Sequence, residues 1–216
     1  MRSILTVRKD IKFNKMNKVF FLVLVTTCVF LSSCGNPTNS GSSVSIPKVI
    51  DYRILEDETE LRKIYEEARK KMGDGIQFVE KLNISVDRPA ERGRSGDDDL
   101  QIILQHIHPT NRNKLREVTL WASEGKWSSA QTLEIDLIGG DAESFRLEEN
   151  LMDLSGLTFE RLFKIVQEAC QKYKSDKYAY QYVSIIMIKD DIITVFIHGK
   201  LAANELLNFE SYEVRL

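Results

Sequence analysis

Two stretches of this chain, Glu60–Met72 and Arg161–Tyr173, set their apolar residues on one helical stripe, and each is followed by three short runs of alternating polarity. In the first stretch Leu61, Ile64, Tyr65, Ala68 and Met72 fall at i, i+3, i+4, i+7 and i+11; Leu162, Ile165, Val166, Ala169 and Tyr173 repeat the pattern. That spacing predicts two helices, each with one face buried. The start signals agree. Asp57 followed by Glu60 reads as a capping box and Thr158 as an N-cap. Glu66–Lys70 and Glu67–Lys71 pair along the solvent side, and Gly73 and Gly75 suit a helix stop.

Strands are predicted at Leu82–Asp87, Leu100–His106 and Leu115–Ala122 after the first helix, and at Tyr182–Lys189, Ile192–His198 and Asn208–Leu216 after the second. A leading strand is expected before each helix, at Val49–Leu55 and Thr132–Ile138. The connections are too short for parallel crossovers, so the pairing must be antiparallel. The expected fold class is α+β, with two helix-plus-antiparallel-sheet modules at residues 46–138 and 139–216 that can share one compact domain.

The modules also align. "ELRKIYEEARKKM" over "RLFKIVQEACQKY" matches at six of thirteen positions. "DDLQIILQH" over "DDIITVFIH" sets His106 against His198, and "REVTL" lies over "YEVRL". An internal duplication accounts for these matches, and so does the common composition of two amphipathic helices. The order of elements resembles tandem modules of the PepSY-like and β-lactamase-inhibitor-like folds. That resemblance implies a helix packed on a small antiparallel sheet and no particular activity.

The N-terminus is of another kind. From Met16 the chain reads "MNKVFFLVLVTTCVFLSSCG": Lys18, an apolar run from Val19 to Leu31, then Leu31-Ser32-Ser33-Cys34. The run is short for a membrane span, which takes about 20 residues, and suits a signal peptide. Its end resembles the lipobox of bacterial lipoproteins. The resemblance implies cleavage before Cys34, diacylglycerol on the Cys34 sulfur and acylation of the new amino terminus. Residues 1–33 are then signal peptide, with Met16 the better start. Gly35, where an Asp would signal inner-membrane retention, favours the outer membrane. Residues 35–45, "GNPTNSGSSVS", read as a flexible linker of roughly 18 Å mean reach.

Residues 1–33 hold six of the 30 basic side chains and one of the 32 acidic ones, leaving 24 against 31 for the rest. A net acidic body disfavours nucleic acid as a partner. The three cysteines are Cys28, Cys34 and Cys170. With the first in the signal and the second lipidated, Cys170 has no disulfide partner. Its place beside Ala169 reads as a small core residue rather than a nucleophile.

His106 and His108 on a strand, with His198, are weak metal candidates, since no further ligand is placed with them. The stretch Asp87–Asp99 holds Arg88, Arg92 and Arg94 among Pro89, Gly93 and Gly96, and reads as a solvated loop able to touch a partner. Trp121 and Trp127 flank a turn. If Val118 and Leu120 face the helix, Trp121 faces outward; both indoles otherwise close the core edge. No phosphate loop, nucleophile elbow or zinc-protease motif occurs, and no cofactor is expected. The expected protein is a membrane-anchored envelope lipoprotein binding a protein or small ligand through Trp121, Trp127, Arg88, Arg92 or Arg94. The alternatives are an envelope hydrolase with a His/carboxylate site and a subunit of an envelope assembly.

Overall fold

Asp57 accepts the Glu60 N–H at 2.9 Å and starts the first helix, α1 (Glu58–Met72); Thr158 does the same for the Arg161 N–H and starts α2 (Phe159–Tyr173). Gly73 ends α1 at φ 93°, a conformation that L side chains rarely adopt. The computed structural model describes residues 4–8, 46–73, 76–138 and 145–216. The lipobox and linker lie outside these residues. Among the described residues no helix is long and apolar enough to cross a membrane.

The strands are β1 (Ile4–Arg8), β2 (Phe78–Asp87), β3 (Asp99–Ile107), β4 (Leu115–Trp121), β5 (Lys126–Trp127), β6 (Gln131–Ile138), β7 (Met152–Asp153), β8 (Tyr178–Lys189), β9 (Ile192–Leu201) and β10 (Leu207–Arg215). They form one antiparallel sheet in the order β1-β6-β4-β3-β2-β8-β9-β10, with short β5 on β4 and β7 on β2. The fold is mixed α+β and the sheet dominates it. On either side of the central β2·β8 pair the first three strands after each helix run outward, β2-β3-β4 after α1 and β8-β9-β10 after α2, and β6 and β1 then extend the α1 side alone.

Both helices lie on one sheet face. Tyr65 of α1 donates its hydroxyl hydrogen to the Leu157 carbonyl at 2.7 Å, and Arg62 pairs with Glu160 at 2.9 Å. Trp127 donates to Glu67 of α1, and Tyr212 donates to Glu168 of α2, tying each half of the sheet to its helix. Between them Leu61, Ile64, Leu162, Ile84, Ile102, Ile186 and Val195 are fully buried. Each such side chain contributes about 1.5–3 kcal/mol.

Three expectations need correction. Val49–Leu55 is not a strand. The Asp51 side chain accepts the Arg53 N–H and the Asp51 carbonyl accepts the Ile54 N–H, folding the segment into a turn that leads to a 3-10 helix at Ile54–Glu56. Its apolar alternation arises because Ile50, Ile54 and Leu55 enter the core while Tyr52 packs, partly buried, at the core's edge against Tyr182. The stretch after Asp87 is not all solvated loop. Pro89–Arg92 forms a 3-10 helix stopped by Gly93 at φ 65°.

The repeat register also differs. Tyr212 pairs with Val195 and bonds α2, so Val195 faces the helices and His198, three residues on, faces away. His106 shares a face with Leu104 and Ile102, toward α1. An alignment that equates the two histidines is therefore one residue out of step, and one residue inverts a strand. "REVTL" over "YEVRL" fails too: Arg116 pairs with His106, whereas Phe209, not Tyr212, pairs with His198.

Candidate binding site

β2 and β8 pair from Lys81↔Lys189 to Ser85↔Ile185 and then separate. The separation coincides with a bulge at Ser184, where the β8–β9 register shifts between Val183 and Ile185. A bulge increases local twist and bends its strand. The freed Val183 N–H is not orphaned, because Glu56 accepts it at 3.1 Å.

Polar and aromatic side chains fill the split. The Pro89–Arg92 turn carries Glu91 into it, and the Glu91 carboxylate gathers four groups. Tyr180 donates to Oε1 at 2.8 Å and Arg88 at 3.2 Å; Tyr182 donates to Oε2 at 2.9 Å, and His198 Nδ1 lies 2.9 Å from the same oxygen. The Arg88 guanidinium sits 4.0 Å from the Tyr52 ring centre and pairs with Asp98 on its other side. Tyr52 meets Tyr182 edge-on at 5.2 Å. Burial and the bond to Glu91 push the Tyr180 hydroxyl up to about 12, and the same two causes raise Tyr182 further. Burial lowers the His198 pKa, with Arg88 adding to the effect and Glu91 opposing it. Tyr182 spends its one hydroxyl hydrogen on Glu91, so Nδ1, 3.0 Å from that hydroxyl oxygen, donates to it, and the neutral ring leaves Nε2 as an acceptor. That nitrogen is buried and has no partner among the described residues. Phe209 stacks on the imidazole at 4.1 Å and is itself 62% exposed.

On the face away from the helices these residues border a groove of about 390 Å³. Trp121 and Phe209 line it, with Gln101, Ser85 and Ser184 between and the Arg92–Asp87 ion pair alongside. Arg88 and Arg92 balance Asp87 and Glu91, so the lining carries no net charge while His198 is neutral. A second cleft, of about 620 Å³, lies between α2 and β8 and is bordered by Arg53, Glu56, Cys170 and Gln181. Cys170 is a free thiol, half-buried; burial and the Glu56 carboxylate hold its pKa up to about 11. It is a poor nucleophile there.

The candidate residues named from sequence scatter. Arg88 and Arg92 reach the groove, but Arg88 is turned inward and largely buried rather than presented on a loop, while Arg94 is exposed beyond it. Trp121 faces away from the helices and lines the groove; Trp127 is on the opposite face against α1. The three histidines do not converge. His106 is buried under α1, His108 accepts from the Thr110 N–H in a turn, and His198 is on the far face. Among the described residues no three His, Cys, Asp or Glu side chains converge as a metal set.

Glu91, Tyr52, Tyr180 and Phe209 went unrecognised as site residues. The alternation Tyr178-Ala-Tyr180-Gln-Tyr182 does announce an aromatic strand face. Nothing local marks Glu91 as a joint in the sheet, since its two tyrosine partners are about 90 residues away. No protein-family model, curated protein or solved structure matches this chain.

Proposed function

We propose that this is a lipid-anchored envelope protein that binds a ligand or protein in the groove between Trp121 and Phe209. The single observation that carries the reading is the buried, unused acceptor His198 Nε2 beside a groove walled by two aromatic rings, on the sheet face that the helices leave open. A buried polar atom without a partner costs free energy, on the order of 1–3 kcal/mol, that a bound donor would recover. Pockets with apolar walls and a few convergent polar groups are the usual form of a ligand site. The anchor at Cys34 would hold this site at the membrane and raise its local concentration toward neighbours.

Crosslinking through a photoreactive residue at position 121 in intact envelopes tests the reading. A specific adduct that is lost in Phe209→Ala is the expected result. Adducts identical to those from exposed Arg94 would refute it. For the anchor, Cys34→Ala should abolish palmitate incorporation, and persistent labelling would overturn the lipobox assignment.

A second reading draws on one geometric fact. A carboxylate on Nδ1 with Nε2 unspent is the arrangement of a histidine general base. A hydrolase would place its substrate or a water at Nε2. The matching outward order of the first three strands after each helix also supports an origin by duplication. A repeat that conserves the helix-facing side would pair Ile102 with Val195, an offset of 93, not 92.

A further inference from the structure

We infer that the groove takes a neutral oligosaccharide. The inference rests on the reading of the groove as the binding site and names its ligand class. Three features converge. The charges that line the groove cancel and are spent on each other: Arg92 on Asp87, and Arg88 on Glu91 and Asp98. An anionic ligand would have to displace a carboxylate from its arginine, and a cationic one an arginine from its carboxylate. Opposite ends of the groove carry flat aromatic surfaces, Trp121 on β4 and Phe209 on β10, which suit the apolar face of a sugar ring. The floor between them offers uncharged donors and acceptors, Gln101, Ser85 and Ser184, next to His198 Nε2.

Nε2 is the most selective of these groups. In the neutral tautomer that donates from Nδ1 to the Tyr182 hydroxyl oxygen it only accepts, so its ligand must present a donor, and a sugar hydroxyl is a neutral donor. A purely apolar ligand would bury Nε2 without satisfying it. Phe209 stacks on the imidazole and is mostly exposed, so its ring can shift to sandwich a sugar against the floor without disturbing the core. The groove volume of about 390 Å³ is that of a site for one or two sugar rings rather than a long chain.

The test uses the full chain in detergent with Trp127→Phe, so that Trp121 is the only indole. Neutral trisaccharides are titrated: triacetylchitotriose, cellotriose and maltotriose. The expected result is a saturable change in Trp121 emission with at least one of them. Phe209→Ala, with its fold checked by the melting curve, should weaken it about tenfold or more. Calorimetry on the unsubstituted chain should return the same affinity. If no neutral trisaccharide binds at about 10 mM, a concentration that would reveal even the weakest useful affinity, while position 121 still crosslinks a specific protein, the oligosaccharide inference is wrong and the groove remains a binding site. If neither occurs, both readings fall. A charged trisaccharide that binds better than its neutral counterpart would also overturn the inference.

Discussion

Glu91 Oε2 lies 2.9 Å from His198 Nδ1, so a residue from the β2–β3 connection is joined to the middle of β9 across the split in the sheet. The same carboxylate holds Tyr180, Tyr182 and Arg88. It is therefore the joint that closes the sheet where β2 and β8 part. Glu91→Ala would strand two phenol hydroxyls and leave Arg88 with Asp98 as its one remaining carboxylate among the described residues. We expect a loss of about 3 kcal/mol in urea unfolding, as for other buried charged groups that lose a partner. Glu91→Gln, which keeps the shape and one acceptor, should cost clearly less. Equal, small effects from both would show that the cluster is solvated and contributes little.

His106 makes stability depend on pH. Its ring is fully buried, Nδ1 donates to the Ile107 carbonyl at 2.8 Å, and Lys71 of α1, Arg116 of β4 and His108 set positive charge around it. Burial above all, and then these charges, bring its pKa from 6.5 down to about 4. Between those values the unfolded chain takes up a proton that the fold refuses. Stability should therefore be highest above pH 6.5 and fall as the pH drops toward 4, by on the order of 3 kcal/mol in all from this residue. Unfolding by urea across that range, compared with His106→Leu, checks it. The variant should have the flatter profile, and parallel profiles would remove His106 as the source.

The β8–β9 hairpin closes with Asp190 at φ 55° and Asp191 at φ 59°, between the paired residues Lys189 and Ile192. Two successive left-handed residues define the turn that suits the twist of a hairpin, and Asn-Gly is its preferred sequence. Asp tolerates that region better than most residues, yet at some cost. Asp190→Asn with Asp191→Gly should raise stability by about 1 kcal/mol. A rise of several degrees in melting temperature is expected, and a fall would mean that the aspartates serve some purpose beyond the turn.

How far the fold could be read from the chain follows from where the relevant forces act. α1 and α2 were legible to within a residue or two because their caps and stripes are local: Asp57, Thr158 and the i, i+3, i+4 residues are all near in sequence. The six main strands were legible by alternation. The segment around Tyr52 misled because its alternating residues serve two different environments, and period two cannot distinguish that from a strand. The site was mostly hidden. Trp121 could be placed on the open face from the parity of Val118 and Leu120, but its partner Phe209 depends on the order of β8, β9 and β10 in the sheet. The bulge at Ser184 and the reach of Glu91 are tertiary, and no neighbour of either residue signals them.

The far edge of the sheet offers a test that links fold to processing. β1 pairs with residues 134–138 of β6 through five residue pairs, from Ile4↔Ile138 to Arg8↔Glu134, whereas β6 reaches β4 only through Gln131–Leu133. Cleavage before Cys34 would remove β1 and leave the second half of β6 as an open edge. Edge backbone without a partner exchanges its amide hydrogens quickly and is a template for adding another strand. In hydrogen exchange, the amides of residues 134–138 should be protected in a chain carrying residues 1–33 and exposed in one that begins at Cys34. Those of β2 and β8, at the centre of the sheet, should be equally slow in both, because none of their partners is lost. Equal protection of residues 134–138 in the two forms would mean that another segment takes the place of β1 once it is gone.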